Sequence, residues 1–147
     1  MEATPEAPVV ECVAKYFFFT CLDEQLSFSV SLKVLSELKA RNRLDQEHRG
    51  HWVQTLHKWR TKVNHLRPRP WHDSPLEKGF ILSEEFDLAG WVSFQSNADA
   101  HEVEAVLLSR ILAFKDEEIA EGLDVTVGTV RYRVGRGLRH LGGLIEP

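Results

Sequence analysis

Residues 116–133 have the sequence DEEIAEGLDVTVGTVRYR, and their pattern indicates a pair of helices joined by a tight turn. A helix-turn-helix needs a short first helix with a small residue facing the second helix, then a tight turn and a capped second helix. Ala120 is the small residue, Asp124-Val125 is the turn, and Thr126 is a favourable N-cap residue. The stretch therefore predicts a helix over 116–123 and a second helix that starts at Thr126.

The second predicted helix, which ends at about Leu141, has an apolar side and a basic side. Its apolar residues recur at three- and four-residue spacing, as Val127, Val130, Val134, Leu138 and Leu141. Each residue advances about 100° around a helix, so the other side carries Thr129, Tyr132, Arg133, Arg136 and Arg139. Arginine binds guanine or phosphates, and threonine and tyrosine add contacts to bases. A basic side alone is also typical of a solvated surface helix; combined with the cap, the small residue and the turn, it favours DNA binding.

The same residues resemble region 4 of bacterial sigma factors, particularly the compact extracytoplasmic-function group. The resemblance rests on EEIAE at 117–121, VTVGTVRYR at 125–133 and HEVEAVLL at 101–108. In that family the last helix reads the upstream promoter element. The resemblance therefore implies DNA contacts for Thr126, Thr129, Arg131, Tyr132, Arg133 and Arg136. LuxR-type regulators have a similar helix pair, so that family also remains open.

Two features depart from the sigma pattern. Lys115-Asp116 stands where the family usually has a serine and an aromatic residue. Gly135 and Gly137 lie inside the recognition helix, and each costs up to about 1 kcal/mol against alanine. A loose distal part of this helix is therefore expected.

The first 66 residues have the pattern of three helices. These are Val9–Cys21, a second helix capped by Asp23 and ending at about Arg43, and a third over about His48–Leu66. The layout is similar to sigma region 2, which binds polymerase and melts the downstream element. However, the positions where the family carries acidic residues and a glutamine are here Phe28, Ser29, Leu32 and Lys33. A degenerate region 2 and an unrelated helical domain for dimerisation or partner binding both remain open.

The two helical parts are separated by a stretch without clear periodicity. Arg67-Pro68-Arg69-Pro70 cannot continue a helix, because proline lacks the backbone donor and disfavours helix in the residue before it. We interpret 67–98 as an interdomain linker whose apolar clusters dock on a partner or on the chain itself: Phe80, Ile81 and Leu82, and Trp91, Val92 and Phe94. The predicted fold is all-α, with two small helical domains at 1–66 and 99–147.

Charge is unevenly distributed along the chain. The net charge is −4, yet 39–69 contains nine Lys or Arg residues and two acids, whereas 83–124 contains eleven acids and two basic residues. Residues 125–144 contain four arginines and no acid. Local charge decides where a polyanion binds. A second basic surface is therefore predicted at Lys58, Arg60, Lys62, Arg67 and Arg69.

Composition argues against a membrane protein, a metalloprotein and an enzyme. No apolar run approaches the roughly 20 residues of a membrane span, and the acidic N-terminus is unlike a signal peptide. Cys12 and Cys21 are interpreted as buried thiols of a cytoplasmic protein. The seven histidines lack the spacing of a zinc site, and no nucleophile elbow or phosphate loop occurs. No cofactor, metal or catalytic residue is predicted.

Together these patterns predict a transcription regulator that binds double-stranded promoter DNA through its C-terminal helix-turn-helix. The resemblance implies RNA polymerase core as a partner, with an anti-sigma factor or another regulatory protein as a further one. One alternative is a sigma-derived interaction module that binds polymerase, a sigma factor or a signalling partner without reading DNA. The other, which the histidine spacing disfavours, is a metal-dependent enzyme.

Overall fold

The computed structural model describes residues 7–66 and 88–145, and these residues form seven α-helices and no β-strand. The helices are α1 (Ala7–Cys21), α2 (Glu24–Ala40), α3 (Arg49–Leu66), α4 (Leu88–Asn97), α5 (Ala100–Val106), α6 (Asp116–Leu123) and α7 (Val127–Ile145). A 3₁₀ turn at Gln46–His48 precedes α3, and a π-helical turn at Leu107–Ile111 extends α5. The all-α prediction is confirmed.

Helix α2 begins at the predicted cap and ends earlier than predicted. The Asp23 carboxylate accepts the backbone N–H of Leu26 at 3.0 Å, which satisfies a donor of the first turn. At the other end Asn42 has a φ of 58°, and the N–H of Arg43 bonds to the carbonyl of Leu38 at 2.9 Å. A left-handed residue of this kind closes a helix, so α2 stops at Ala40 rather than at Arg43.

Helix α4 corrects part of the predicted linker. Trp91, Val92 and Phe94 are buried, and the Trp91 indole N–H donates to the carbonyl of Phe19 at 3.2 Å. The Gln95 amide donates to the carbonyl of Thr20 at 2.8 Å. These contacts to the end of α1 stabilise a helix over Leu88–Asn97, where the local sequence pattern is weak. The second apolar cluster therefore docks on the chain itself, whereas Phe80, Ile81 and Leu82 lie outside the described residues.

Helix α1 is the centre of the N-terminal packing. Tyr16, Phe17, Phe18 and Phe19 are all buried, and so are the free thiols of Cys12 and Cys21, as the sequence predicted. Burial raises the pKa of the Cys12 thiol to about 12, so this thiol stays protonated and unreactive. Although α1 is strongly apolar, none of the helices in the described ranges has both the length and the hydropathy of a membrane span.

The N-terminal helices and the C-terminal helices share one hydrophobic core. Trp52 of α3 packs edge to face on Phe114, which precedes α6, with ring centroids 6.4 Å apart. A β-carbon added at Gly122 of α6 would overlap Val53 and lie 2.7 Å from the carbonyl oxygen of Gly50. Only glycine therefore allows α3 and α6 to approach so closely. The domain boundaries at 66 and 98 stay a prediction, but the two parts are in direct contact.

Candidate nucleic-acid interface

Helices α6 and α7 form the helix-turn-helix that residues 116–133 predicted. The N–H of Lys115 donates to the Glu118 carboxylate at 2.8 Å, which fixes the start of α6. Asp124 adopts the left-handed conformation, with φ 56° and ψ 50°, and turns the chain toward α7. The Thr126 hydroxyl then accepts the N–H of Thr129 at 3.1 Å and caps α7 as expected. Helix α7 continues to Ile145, beyond the predicted end at Leu141.

The helix before this pair is more irregular than predicted. The sequence predicted one helix over Ala100–Ala113, but the α-helical pattern ends at Val106 and continues as a π-helical turn. Ala113 has a φ of 59°, and the N–H of Phe114 bonds back to the carbonyl of Leu108 at 2.9 Å. This reversal places the Phe114 ring in the core and directs the chain into α6.

The apolar side of α7 faces the core, as the spacing predicted. Val130 and Val134 are buried, and Val127, Leu138 and Leu141 are partly buried against the same core. A β-carbon added at Gly137 would lie 2.5 Å from Val106 Cγ2 and 3.0 Å from the Glu102 carbonyl oxygen, whereas one added at Gly135 would meet nothing within 4 Å. Gly137 therefore lies where α5 and α7 approach each other closely, whereas Gly135 lies on the side of α7 that faces away from α5.

The residues predicted to contact DNA lie on the accessible side of α7 and at its N-terminus. Thr126, Arg131, Tyr132, Arg136 and Arg139 are exposed, and Thr129 and Arg133 are partly exposed. Tyr132 is the clearest case, because this large aromatic residue is 63% exposed. The face therefore combines two hydroxyls at the helix N-terminus with an aromatic ring and cations further along α7, and these groups suit phosphates and base edges.

Acidic residues of the neighbouring helices hold two of these arginines. The Arg131 guanidinium bonds to Asp116 of α6 at 3.0 Å. Arg136 bonds to Glu102 of α5 at 3.0 Å and to the Tyr132 hydroxyl at 3.4 Å. The hydrogen bond to Glu102, followed by the one to Tyr132, raises the pKa of Arg136, so its charge is permanent.

Two basic side chains on the same face are free for a ligand. Arg133 and Arg139 make no hydrogen bond or salt bridge within the described part of the chain. A free guanidinium loses no protein partner when it binds a phosphate or a base. Arg133, which is partly exposed, and Arg139, which is exposed, are therefore the arginines of α7 that can bind a ligand without breaking an ion pair.

The predicted second basic surface is corrected at Arg60. This side chain is only 7% exposed, and its guanidinium donates to the Thr20 hydroxyl at 3.0 Å inside the core. Lys58 is exposed but bonds to both oxygens of Glu37, at 2.9 and 2.7 Å, and Lys62 lies over the Trp59 ring at 4.3 Å. Arg67 and Arg69 lie outside the described residues. On the described part of α3, Lys58 and Lys62 thus contact Glu37 and Trp59 of the protein itself, and they do not form a continuous basic surface with Arg60.

A buried polar cluster joins α1, α3 and α5. Glu104 is 2% exposed, accepts the Tyr16 hydroxyl at 2.8 Å and contacts His57 Nδ1 at 2.9 Å. Burial alone would raise the pKa of Glu104, but the hydrogen bond from His57 and the charge of Arg60 lower it below its ordinary value. Glu104 is therefore a buried carboxylate whose charged form is stabilised by His57 and Arg60.

Sequence reasoning assigned Glu104 only to an acidic segment. A signal was available, since Glu104 lies one helical turn before Leu107 and Leu108 and so falls on a buried side of its helix.

The histidines do not converge on a metal: the described residues contain no group of three His, Cys, Asp or Glu side chains able to hold one. His48 bonds to Asp45 at 2.8 Å, and His140 bonds to Glu102 at 2.9 Å.

Comparison with protein families agrees with this geometry. Residues 102–141 match the family model for sigma-70, region 4. The matched segment runs from α5 to Leu141 of α7, so it covers α6, the turn and all but the last four residues of α7, which is about a quarter of the chain. No curated protein and no solved structure matches the chain. Over this segment the chain is sigma-factor-like, and the match supports a DNA-binding role in transcription rather than an enzymatic one.

Proposed function

We propose that this protein binds promoter DNA by inserting α7 into the major groove. The observation that carries the proposal is the accessible face of α7, which has the Thr126 cap at its N-terminus, the exposed Tyr132 ring, and the unpaired Arg133 and Arg139 further along the helix. Thr129, Arg131 and Arg136 complete this interface. Arginines of this kind neutralise phosphates, and those that reach a base edge add sequence preference.

The test compares single arginine variants in DNA binding by fluorescence anisotropy with a short mixed-sequence duplex. Arg133→Ala and Arg139→Ala are each expected to weaken binding about ten- to 150-fold at low salt, since a charged hydrogen bond contributes about 1.5–3 kcal/mol. Arg110→Ala is the matched control, because Arg110 is an exposed arginine on the π-helical turn, outside α7. Equal affinity of all four proteins would contradict the assignment of α7.

We further propose that α1–α3 bind RNA polymerase core, as a degenerate region 2 of an extracytoplasmic-function sigma factor would. We also propose that the protein acts in the cytoplasm. An anti-sigma factor or another regulatory protein is a further partner in this proposal. The supporting observation is the direct packing of α3 on α6, which joins the N-terminal helices to the sigma-like segment. Retention of core polymerase by the immobilised full chain tests this step, and a chain that binds DNA but retains no polymerase would contradict it.

A second candidate function is a protein-interaction module that binds polymerase, a sigma factor or a signalling partner without reading DNA. The observation that favours it is the acidic side of the helix-turn-helix. Asp116, Glu117 and Glu118 lie in the first turn of α6, and Glu102 and Asp116 neutralise two arginines of α7. Under this alternative, polymerase or a sigma factor would be retained while the duplex would not bind even at low salt.

A further inference from the structure

A groove between α1 and α2 is distinct from the surface of α7. Its volume is about 480 Å³. Its walls are mostly apolar and come from both helices: Val10, Ala14 and Phe18 of α1, and Phe28, Leu32 and Leu35 of α2. The groove lies on the outer side of α1, whereas the opposite side of α1 packs on α3 and contacts α4.

The rim of this groove exposes large apolar side chains. Phe28 is 65% exposed, Leu32 51% and Val10 45%. Apart from Tyr132, these are the large apolar side chains that the described residues expose to this degree. The three side chains line one groove instead of being scattered singly over the surface, as in an apolar binding site.

One buried polar atom lies in the apolar wall. The residue Ser31 is 6% exposed and lines the groove, and its hydroxyl has no hydrogen-bond partner in the described part of the chain. A buried hydroxyl without a partner costs about 1–3 kcal/mol and calls for an explanation. A ligand in the groove that hydrogen-bonds to Ser31 Oγ would remove this cost.

Size and charge narrow the class of ligand. A volume of 480 Å³ falls within the range of about 300–1,000 Å³ that is usual for small-molecule sites. Ten of the described residues line the groove, fewer than the roughly 20–30 residues a side that a stable protein interface engages. Among the described residues that line the groove, Glu24 is acidic and none is basic, so an anion is disfavoured.

We propose that the groove between α1 and α2 binds a small, uncharged and mainly apolar molecule, one polar group of which hydrogen-bonds to Ser31 Oγ. The bound molecule covers Phe28 and Leu32 and gives the buried hydroxyl its partner. This site is independent of DNA binding by α7, but it shares Phe28 and Leu32 with the face of α2 that the proposed polymerase contact would use.

The first experiment titrates the full chain with N-phenyl-1-naphthylamine, an uncharged aromatic fluorophore with a single N–H donor. Saturable binding with one molecule per chain is expected. Ser31→Ala removes the hydroxyl and should weaken binding about two- to tenfold, as the loss of one hydrogen bond does. Ser29→Ala is the matched control, because Ser29 is exposed on α2 and does not line the groove. No saturable binding, or equal effects of the two serine variants, would overturn the proposal.

The second experiment blocks the groove. Ala14→Trp fills it, and Leu32→Glu places a charge on its half-exposed rim, where the helix tolerates the change. Both variants should lose at least tenfold in fluorophore affinity at unchanged helical content by circular dichroism. If the chain instead sediments as a dimer that Leu32→Glu dissociates, a second copy occupies the groove and the proposal is wrong. Wild-type affinity in both variants would also overturn it.

Discussion

At the scale of single residues, Glu102 connects the scaffold of the helix-turn-helix to its basic side. Its two carboxylate oxygens contact Arg136 at 3.0 Å and His140 at 2.9 Å, so one negative charge lies behind two basic side chains of α7. A carboxylate in this position orients Arg136 but also repels an approaching phosphate. DNA affinity therefore reflects a balance between these two effects.

Glu102→Gln tests this balance, because glutamine keeps an oxygen acceptor for Arg136 and removes the charge. We expect DNA affinity at low salt to rise about two- to fivefold, since one repulsive charge near the phosphates is lost. Glu47→Gln, on the exposed turn before α3, serves as the control and should change nothing. A drop in affinity for Glu102→Gln would mean that orientation of Arg136 outweighs repulsion.

The His57–Glu104 contact predicts a pH-dependent contribution to stability. The hydrogen bond to Glu104 raises the pKa of His57 above its ordinary value of 6.5, so protonated His57 is favoured in the folded state. Its contribution is fully present below the unfolded pKa of 6.5 and is lost as pH rises through the higher folded pKa. The effect is modest, because His57 is about half exposed and the pair is partly screened.

His57→Gln should accordingly reduce the urea midpoint of unfolding more at low pH than at high pH, over the range from about pH 5 to pH 8. His101→Gln is the control, since His101 is an exposed histidine at the start of α5. A stability difference that grows as pH rises would contradict the assigned His57–Glu104 pair.

At the scale of elements, α7 contains two glycines with opposite surroundings. The sequence alone assigned the same helix cost to both, but Gly137 is needed for the close approach of α5, and Gly135 has open space around it. Gly135→Ala is therefore expected to stabilise the fold by up to about 1 kcal/mol, through helix propensity. Gly137→Ala is expected to destabilise it by about 1–3 kcal/mol, through overlap with Val106 and the Glu102 carbonyl. Chemical denaturation measures both, and a similar change in the two variants would refute the packing of α7 on α5.

The elements that sequence patterns predicted well are those defined by local chemistry. Asp23 and Thr126 bond to backbone donors three residues away, and the apolar stripe of α7 is a property of that helix alone. Helix α4 was missed because its helicity depends on contacts of Trp91 and Gln95 with the distant end of α1. Arg60 was placed on the surface for the same reason, since only the tertiary fold brings Thr20 and Glu104 beside it.

At the scale of the whole molecule, the two halves are joined by apolar and polar contacts. Arg49 of α3 bonds to Glu118 of α6 at 3.2 Å and lies 4.4 Å from the centre of the Phe114 ring. The Tyr16–Glu104 hydrogen bond adds a buried link between α1 and α5. Separation of the halves would therefore expose both apolar core surface and a buried carboxylate, which is costly.

This shared core predicts that the halves unfold together. All four tryptophans, at positions 52, 59, 71 and 91, precede α5, so their fluorescence reports the N-terminal part, whereas far-UV circular dichroism reports helices throughout the chain. The two signals are expected to give the same urea midpoint, as in a two-state transition. A second circular dichroism transition that the fluorescence does not follow would show that the α6–α7 pair is an independent unit.

DNA binding by α7 is tested by measuring the affinity of the full chain for a duplex as a function of salt concentration. If the exposed face of α7 binds phosphates, log affinity falls linearly with log salt, and the slope becomes less steep by about 0.9 for each phosphate contact removed, as in Arg133→Ala and Arg139→Ala. The Arg110→Ala control should keep the parental slope. An affinity that is independent of salt, or a slope that neither Arg133→Ala nor Arg139→Ala changes, would contradict phosphate binding by the exposed face of α7.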